Sequence, residues 1–359
     1  MSQISDTTSK KEKLGIQSRT KTIGKKPKRT TKASSILCSP YIQRKVDIGK
    51  SVTKAEKKVW DYMFARSIDY AERDKLTDAD PNYKIEDNLP PRTFNDYIFG
   101  NDYLGGIKLS CFCTLKNNSW VMNDVIDAWA SILNFEEKKR DHGSPMRLMF
   151  GTLFTEWIVG STNESKEEML RMLFKNLEKA AQGNKALQNL FDVDVAMFPV
   201  LEESHYYLVC FELKFPRIVI IDNWGKSNVS LKDDGVYAEK STVCRLKYVL
   251  LSYLKKVDHP KWKEIEKVWP EKLTIGWTTN DNFNDCGVFM MRRMEMFNGS
   301  KSKEFNCGFP KGKQGKQGKQ RMINALRRKY ACKMLTSDAK SYKDKVVWEA
   351  KDFYKIYNT

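Results

Sequence analysis

The density of apolar residues divides the chain. It is low over the first 35 or so positions, intermittent to about residue 111, and high from Phe112 onward. Residues 1 to about 35 are polar and basic and hold too little apolar surface to repay the entropy of ordering. They are predicted to be disordered, as part of a basic tail over 1–50. TKAEKKVWDYMFARSIDYAERDK, residues 53 to 75, sets Val59, Met63 and Ile68 among charges and has helical character; Asp80-Pro81 and Pro90-Pro91 then punctuate a loop-rich stretch. A helical and loop-rich extension is therefore expected over 51–111. In SWVMNDVIDAWASILNF, Val121, Val125, Trp129 and Ile132 or Leu133 recur near the helical period of about 3.6 residues, with Asn123 or Asp124 available as a cap. EEMLRMLFKNLEKAA reads as a second helix. DVAMFPVL, HYYLVCFEL and RIVIIDN are short β-like runs, the last two separated by a turn at Lys214 to Pro216. KSTVCRLKYVLLSYLKKV is a further helix and LTIGWTT a strand, followed by GVFMMRRMEMF, a helix whose Met290, Met291, Met294 and Phe297 share one face.

Helices, then a cluster of strands, then a strand and a helix predict a layered α+β domain over 112–355. GKQGKQGKQ, residues 312 to 320, has no apolar residue to pack, so a mobile basic insert is expected over 311–320, ahead of a last helix, INALRRKYACKML.

Composition adds scale: 359 residues at 41% apolar and 12% aromatic can bury a sizeable core. The net charge of +18 suggests a nucleic-acid partner until it is located. Residues 1–50 carry 13 Lys/Arg against 3 Asp/Glu, and residues 311–333 carry 9 Lys/Arg and no acid, so tail and insert hold the whole surplus. Weak, non-specific nucleic-acid contact through the tail is then an auxiliary property, since no recognition motif or aromatic-interleaved basic patch occurs. Lys25-Lys26-Pro27-Lys28-Arg29 is a compact cluster of the kind nuclear import receptors read, and a nuclear or cytoplasmic address is expected. The N-terminus has no signal-peptide apolar core and no run approaches the ~18 apolar residues of a membrane span, so no membrane association is expected. Eight cysteines in a chain this long are not a disulfide framework, and Cys111 and Cys113 lack partners at zinc-ligand spacing. No metal and no cofactor is expected, and the chain is expected to be a monomer.

NDNFNDCGVF, residues 280 to 289, holds the candidate chemistry. A free thiol has a pKa of about 8.5 and needs help to ionise at neutral pH. Cys286 opens a helix and would face its unpaired N–H groups and positive end. Of three histidines, His142 and His259 lie in charged or solvated stretches, and only His205 starts an apolar alternating strand, which makes it the plausible general base. If the two following strands form an antiparallel hairpin with His205 opposite Asp222, the side chains share a face with Cβ atoms ~5 Å apart, and the carboxylate orients the ring. Taken singly, the same residues also fit a buried inert thiol, a structural histidine and a turn-forming aspartate.

Together they resemble the ubiquitin-like-protein-specific cysteine proteases, the SUMO protease family related to the adenovirus protease, and within it the divergent plant branch often carried by transposable elements. The resemblance spans about Trp120 to Leu335. It rests on SWVMNDVIDAW, on the 17-residue separation of His205 and Asp222, on Asp285-Cys286-Gly287-Val288-Phe289, and on the order His, Asp, Cys. It implies a papain-like fold in permuted order, a central mixed sheet flanked by helices, and hydrolysis after the C-terminal Gly-Gly of a small modifier. Cys286 would attack, His205 would move the proton and Asp222 would hold the ring. The oxyanion would meet the Cys286 backbone N–H and a side-chain amide. At that amide's place, six residues before the cysteine, the family has Gln and this chain has Asn280, one methylene shorter. The Trp that follows the family's histidine is Tyr206 here, expected as one wall of a narrow Gly-Gly channel with Trp120 as the other. These departures leave a second expectation, a weakened relative that binds a ubiquitin-like modifier without efficient cleavage.

Overall fold

The structure is a computed structural model that describes residues 45–65, 95–141, 143–161, 163–224, 241–278, 282, 284–299, 304–309, 316–339 and 343–357. In chain order the elements are α1 Lys54–Ala65, β1 Tyr97–Asn101, β2 Gly105–Lys108, α2 Leu109–Cys113, α3 Asn123–Glu137, β3 Arg147–Met149, α4 Thr152–Gly160, α5 Lys166–Ala181, β4 Val195–Glu202, β5 His205–Glu212 and β6 Arg217–Ile221. They continue with α6 Thr242–Lys256, α7 Trp262–Lys267, β7 Pro270–Lys272, β8 Thr274–Ile275, α8 Cys286–Met296, β9 Glu304–Phe305, α9 Lys316–Leu335 and α10 Lys343–Tyr357. No described helix is long and apolar enough to cross a membrane.

The centre is a mixed sheet in the order β3-β4-β5-β6-β7, parallel at its two outer pairs and antiparallel through β4, β5 and β6. Because helices cover both faces, β5 reads as apolar almost throughout: Tyr206, Leu208 and Cys210 enter one core, while Val209 and Phe211 enter the other. The second core is filled by α4, α5 and α6 through Phe154, Leu173, Leu177, Leu246 and Leu250. The first holds α3, α8 and α9, with Trp129, Phe289, Met290, Met294, Leu326 and Tyr330.

Enclosure changes the character of α8. The sequence predicts one buried Met face, yet every residue from Cys286 to Glu295 is buried. Its polar side must then be satisfied internally: Arg292 pairs with Glu295 at 2.6 Å, donates to Val46 O and Cys307 O, and Glu295 accepts from the Val46 N–H.

Several expected boundaries move. The tail drawn at 1–50 is packed by Val46, which is buried; residues 1–44 lie outside those described. The helix expected over 53–75 is observed as α1, and 66–75 lies outside the described residues. Val59, Tyr62, Ile98 and Phe99 share the core of α3 and α8, so the described parts of 51–111 are integral to the domain that was expected to begin at 112. Residues 316–320 of the expected mobile insert form the first turns of α9, where Gln320 donates to Asp285 and Asn324 and Lys319 lies over the Trp277 ring. Gln and Lys are adequate helix formers, and polarity alone does not exclude a helix end from packing. LTIGWTT, expected as one strand, forms a short ladder at Thr274–Ile275 with Glu304–Phe305, while the Leu273 N–H is bonded to Ile220 O of β6. The helix expected to be last is followed by α10, which packs on α1.

Candidate active site

The expected hairpin is present in a different register. Leu208 lies opposite Ile221 and Glu212 opposite Arg217, so His205 is not opposite Asp222; the same register, carried past the strand end, puts Trp224 there. The reason is the turn, a four-residue connection over 213–216, which shifts the pairing by two from the expected one and so keeps the facing parity. Asp222 lies just beyond β6, where the chain leaves the ladder, and its Oδ1 is 2.6 Å from His205 Nε2. The predicted pair is therefore met, diagonally.

Asp222 is fixed on all sides. Oδ1 also accepts from the Trp224 N–H at 2.9 Å, and Oδ2 from Lys272 Nζ at 2.9 Å. Burial pushes its pKa up, but the His205 hydrogen bond, the Lys272 charge and the Trp224 N–H outweigh that and hold it at about 2. An ionised carboxylate only accepts, so His205 Nε2 carries the proton of this bond and Nδ1 keeps a lone pair in the neutral ring. The Trp224 ring meets the imidazole edge-on, with the ring centroids 5.2 Å apart. With an ordinary value of 3.8 and a folded value near 2, Asp222 stabilises the fold above pH ~4 by about 2 kcal/mol. This contribution is expected to vanish between about pH 4 and pH 2, and an Asp222→Asn variant should show a flatter stability curve there in urea titrations.

Cys286 is the first residue of α8, after Asp285 at the cap position, and its side chain is fully buried. Burial pushes the thiol's pKa up; the backbone N–H groups of Tyr206 and Gly287, the Trp120 indole and the Arg293 charge oppose it. The Tyr206 contact places the sulfur against the backbone immediately after His205. The Trp120 Nε1 is buried and meets no acceptor at hydrogen-bonding geometry, so it acts on the sulfur as a nearby dipole rather than through a full bond. Gly287 permits the close approach of the two segments: a Cβ there would lie 2.6 Å from Val121 Cβ. Gly287→Ala is expected to push Val121, and with it Trp120, off the nucleophile's helix. Peptidase activity should fall at least tenfold and the melting temperature by several degrees, measured on the same preparation.

Trp120 and Tyr206, expected as opposing walls with a peptide between them, are instead stacked on one another at 5.3 Å with an interplanar angle of 15°. Tyr206 is fully buried and its hydroxyl donates to Val121 O and to Asn123 Oδ1. A phenol needs an acceptor when buried, and α3 supplies it, so the ring is anchored inward rather than over a channel. Asn280, the expected oxyanion donor, and His142 lie outside the described residues. His259, set aside on the sequence, is buried against Phe191.

Trp224 and Lys272 went unnoticed in the sequence. Trp224 was reachable from the correct register; Lys272 comes from β7, whose parallel pairing with β6 leaves no mark in a three-residue run.

Comparison with known proteins agrees with the fold. The chain has an α+β cysteine-peptidase fold, with a mixed sheet between helices. Residues 119–349 match the family described as the Ulp1 protease family, C-terminal catalytic domain, and the chain belongs to that family. It is a hydrolase of the cysteine-peptidase type. No curated protein matches its sequence. Among solved structures, the SUMO protease Ulp1 with its catalytic cysteine oxidized to a sulfonic acid aligns with a TM-score of 0.51 at 12% identity, over 82% of this chain and 100% of its own. The C-terminal Ulp1 protease domain in complex with Smt3, the yeast ortholog of SUMO, aligns at 0.47 and 14% identity over 82% and 100%. The Chaetomium thermophilum Ulp1-like SUMO protease catalytic domain aligns at 0.44 and 16% over 74% and 88%. The structural likeness speaks to the fold and rests on the first of these.

Proposed function

We propose that the protein is a thiol protease that cleaves after the C-terminal Gly-Gly of a SUMO-type ubiquitin-like modifier, from precursors or from conjugates, through Cys286, His205 and Asp222. The observation that carries this reading is the 2.6 Å contact of Asp222 with His205, which opens the strand against which the Cys286 helix is packed, within a domain of the Ulp1 protease family. Nδ1 of His205 takes the thiol proton, and the sulfur attacks the glycine carbonyl carbon to form a tetrahedral oxyanion. Collapse of that adduct breaks the C–N bond, the amine leaves with the proton from His205, and water then hydrolyses the thioester. The Cys286 backbone N–H, at the positive end of α8, is one donor for the oxyanion, and Asn280 is proposed as the other. Trp120 contributes substrate contact beside the sulfur. Nuclear import through Lys25 to Arg29 belongs to the same reading and is supported by charge alone.

The test is incubation with electrophilic C-terminal probes of SUMO and of ubiquitin, beside Cys286→Ala. A covalent adduct that needs Cys286 is expected with the SUMO probe; absence of any adduct overturns the reading. One observation favours a second reading, a binder that cleaves poorly: Trp120 and Tyr206 stacked on one another beside a fully buried thiol. Non-covalent capture of the modifier without an adduct would establish it. Asn280→Gln is expected to raise turnover, because the longer side chain restores the reach of the amide; unchanged or lower turnover would mean that another donor serves the oxyanion.

A further inference from the structure

Among the largest fully buried side chains are two guanidinium groups, and they are treated differently. Arg327 is paired with Asp285 at 2.6 Å. Arg293 is 1% exposed, and among the described residues no carboxylate lies within ion-pair reach of it. Its sequence neighbour Arg292 has Glu295; Arg293 has only a carbonyl, Ile221 O at 3.5 Å, and an amide oxygen, Asn223 Oδ1 at 3.2 Å. Burial pulls its pKa down to about 10, which leaves it charged at neutral pH. A charged group buried without a counter-ion is costly and demands an account.

Its surroundings supply one. Arg293 lies seven residues after Cys286 on α8, two turns along the same face of the helix. It reaches the two residues that flank Asp222, and the negative-going groups that feel its charge are Cys307, Asp222 and Cys286, in that order. Phe289 of its own helix closes another side, with the ring centroid 5.8 Å away. These three groups lie on α8 (Cys286), just after β6 (Asp222) and just after β9 (Cys307).

We propose that Arg293 is a positioning residue of the hydrolysis: a buried guanidinium left without a carboxylate so that its charge favours the anionic form of the Cys286 sulfur, while its hydrogen bonds hold the loop of Asp222. A carboxylate partner would pin the side chain equally well and cancel the field. The Asn223 amide pins it and leaves the field in place. The inference rests on Cys286 being the nucleophile.

The experiment is the pH dependence of Cys286 alkylation by iodoacetamide in the full chain, followed by mass spectrometry of the peptide that carries it. The unaltered protein is measured first: a Cys286 that does not react overturns the reading of the site itself. Given a reactive Cys286, Arg293→Met is expected to raise the midpoint by about one pH unit, a tenfold loss of reactivity on the acid side, and Arg293→Lys to restore it, although Lys cannot reproduce both hydrogen bonds. Should Arg293→Met fail to fold, Asn223→Asp keeps the guanidinium and adds the missing carboxylate beside it, and the same upward shift is expected. A folded Arg293→Met or Asn223→Asp protein with an unmoved midpoint overturns the role assigned to Arg293 while leaving Cys286 in place.

Discussion

His205→Ala abolishes adduct formation with the SUMO probe and lowers peptidase turnover by roughly 10²–10⁴-fold, the usual worth of a positioned general base, while the melting temperature stays within a few degrees. The expectation of an intact fold follows from what the ring leaves behind. Asp222 loses one partner but keeps the Trp224 N–H on Oδ1 and Lys272 on Oδ2, so no buried charge is stranded. Activity has no such reserve. The Tyr206 N–H and the helix end remain beside the sulfur, but they only stabilise charge on it and cannot carry a proton to the leaving amine. Probe labelling with a melting curve on the same sample checks both halves. Full reactivity in His205→Ala would remove the base assignment, and a collapsed melting temperature would show that the ring holds the β5–β6 junction.

The chemistry of this site was legible where it depends on residue type and local period, and illegible where it depends on pairing. His205, Asp222 and Cys286 could be picked out because few residues of those types stand at strand starts, strand ends and helix starts. Alternation could not set the register of β5 on β6, because both faces of the sheet are buried and a shift by two leaves the pattern unchanged. The turn decided it, and with it the place of Trp224. The role of Tyr206 was misjudged for a related reason: a Tyr aligned with a Trp keeps the ring but adds a hydroxyl, and the acceptors on Val121 and Asn123 draw that ring inward. The buried polar residues of α8 and α9 escaped notice because a helix enclosed on every side has no solvent face, so a run such as GVFMMRRMEMF reads as amphipathic when it is central. Lys272, Arg293 and Arg327 acquire meaning only from partners distant in the chain.

Arg327→Ala costs about 3–5 kcal/mol of stability, on the order of 10 °C in melting temperature, the largest loss expected from one exposed-by-composition but buried-in-fact residue. Arg327 is fully buried and its Nε and Nη2 grip Asp285 Oδ1 at 2.9 and 2.6 Å. Nη1 also donates to Thr114 O and Lys116 O, and Nη2 to Ser119 O and Asn284 O. One side chain therefore ties the turn that leads into Trp120 to the turn that leads into Cys286. Removing it takes the counter-ion from the Asp285 carboxylate, 2% exposed, and the donors from four carbonyls whose bonds to it are part-buried. Lys in its place is expected to recover little, because a single ammonium with three donors cannot span two turns that a planar fork with five donors reaches. Asp285→Asn in the Arg327→Met background is expected to recover part of the loss by removing the stranded charge, which separates electrostatics from the lost carbonyl contacts in a double-mutant cycle. The activity of Arg327→Lys, measured below its melting temperature, should also drop: once the two turns slide independently, Cys286 no longer keeps its place beside Trp120 and the strand of His205. A stable Arg327→Ala protein with full turnover would mean that the two turns are held together without it.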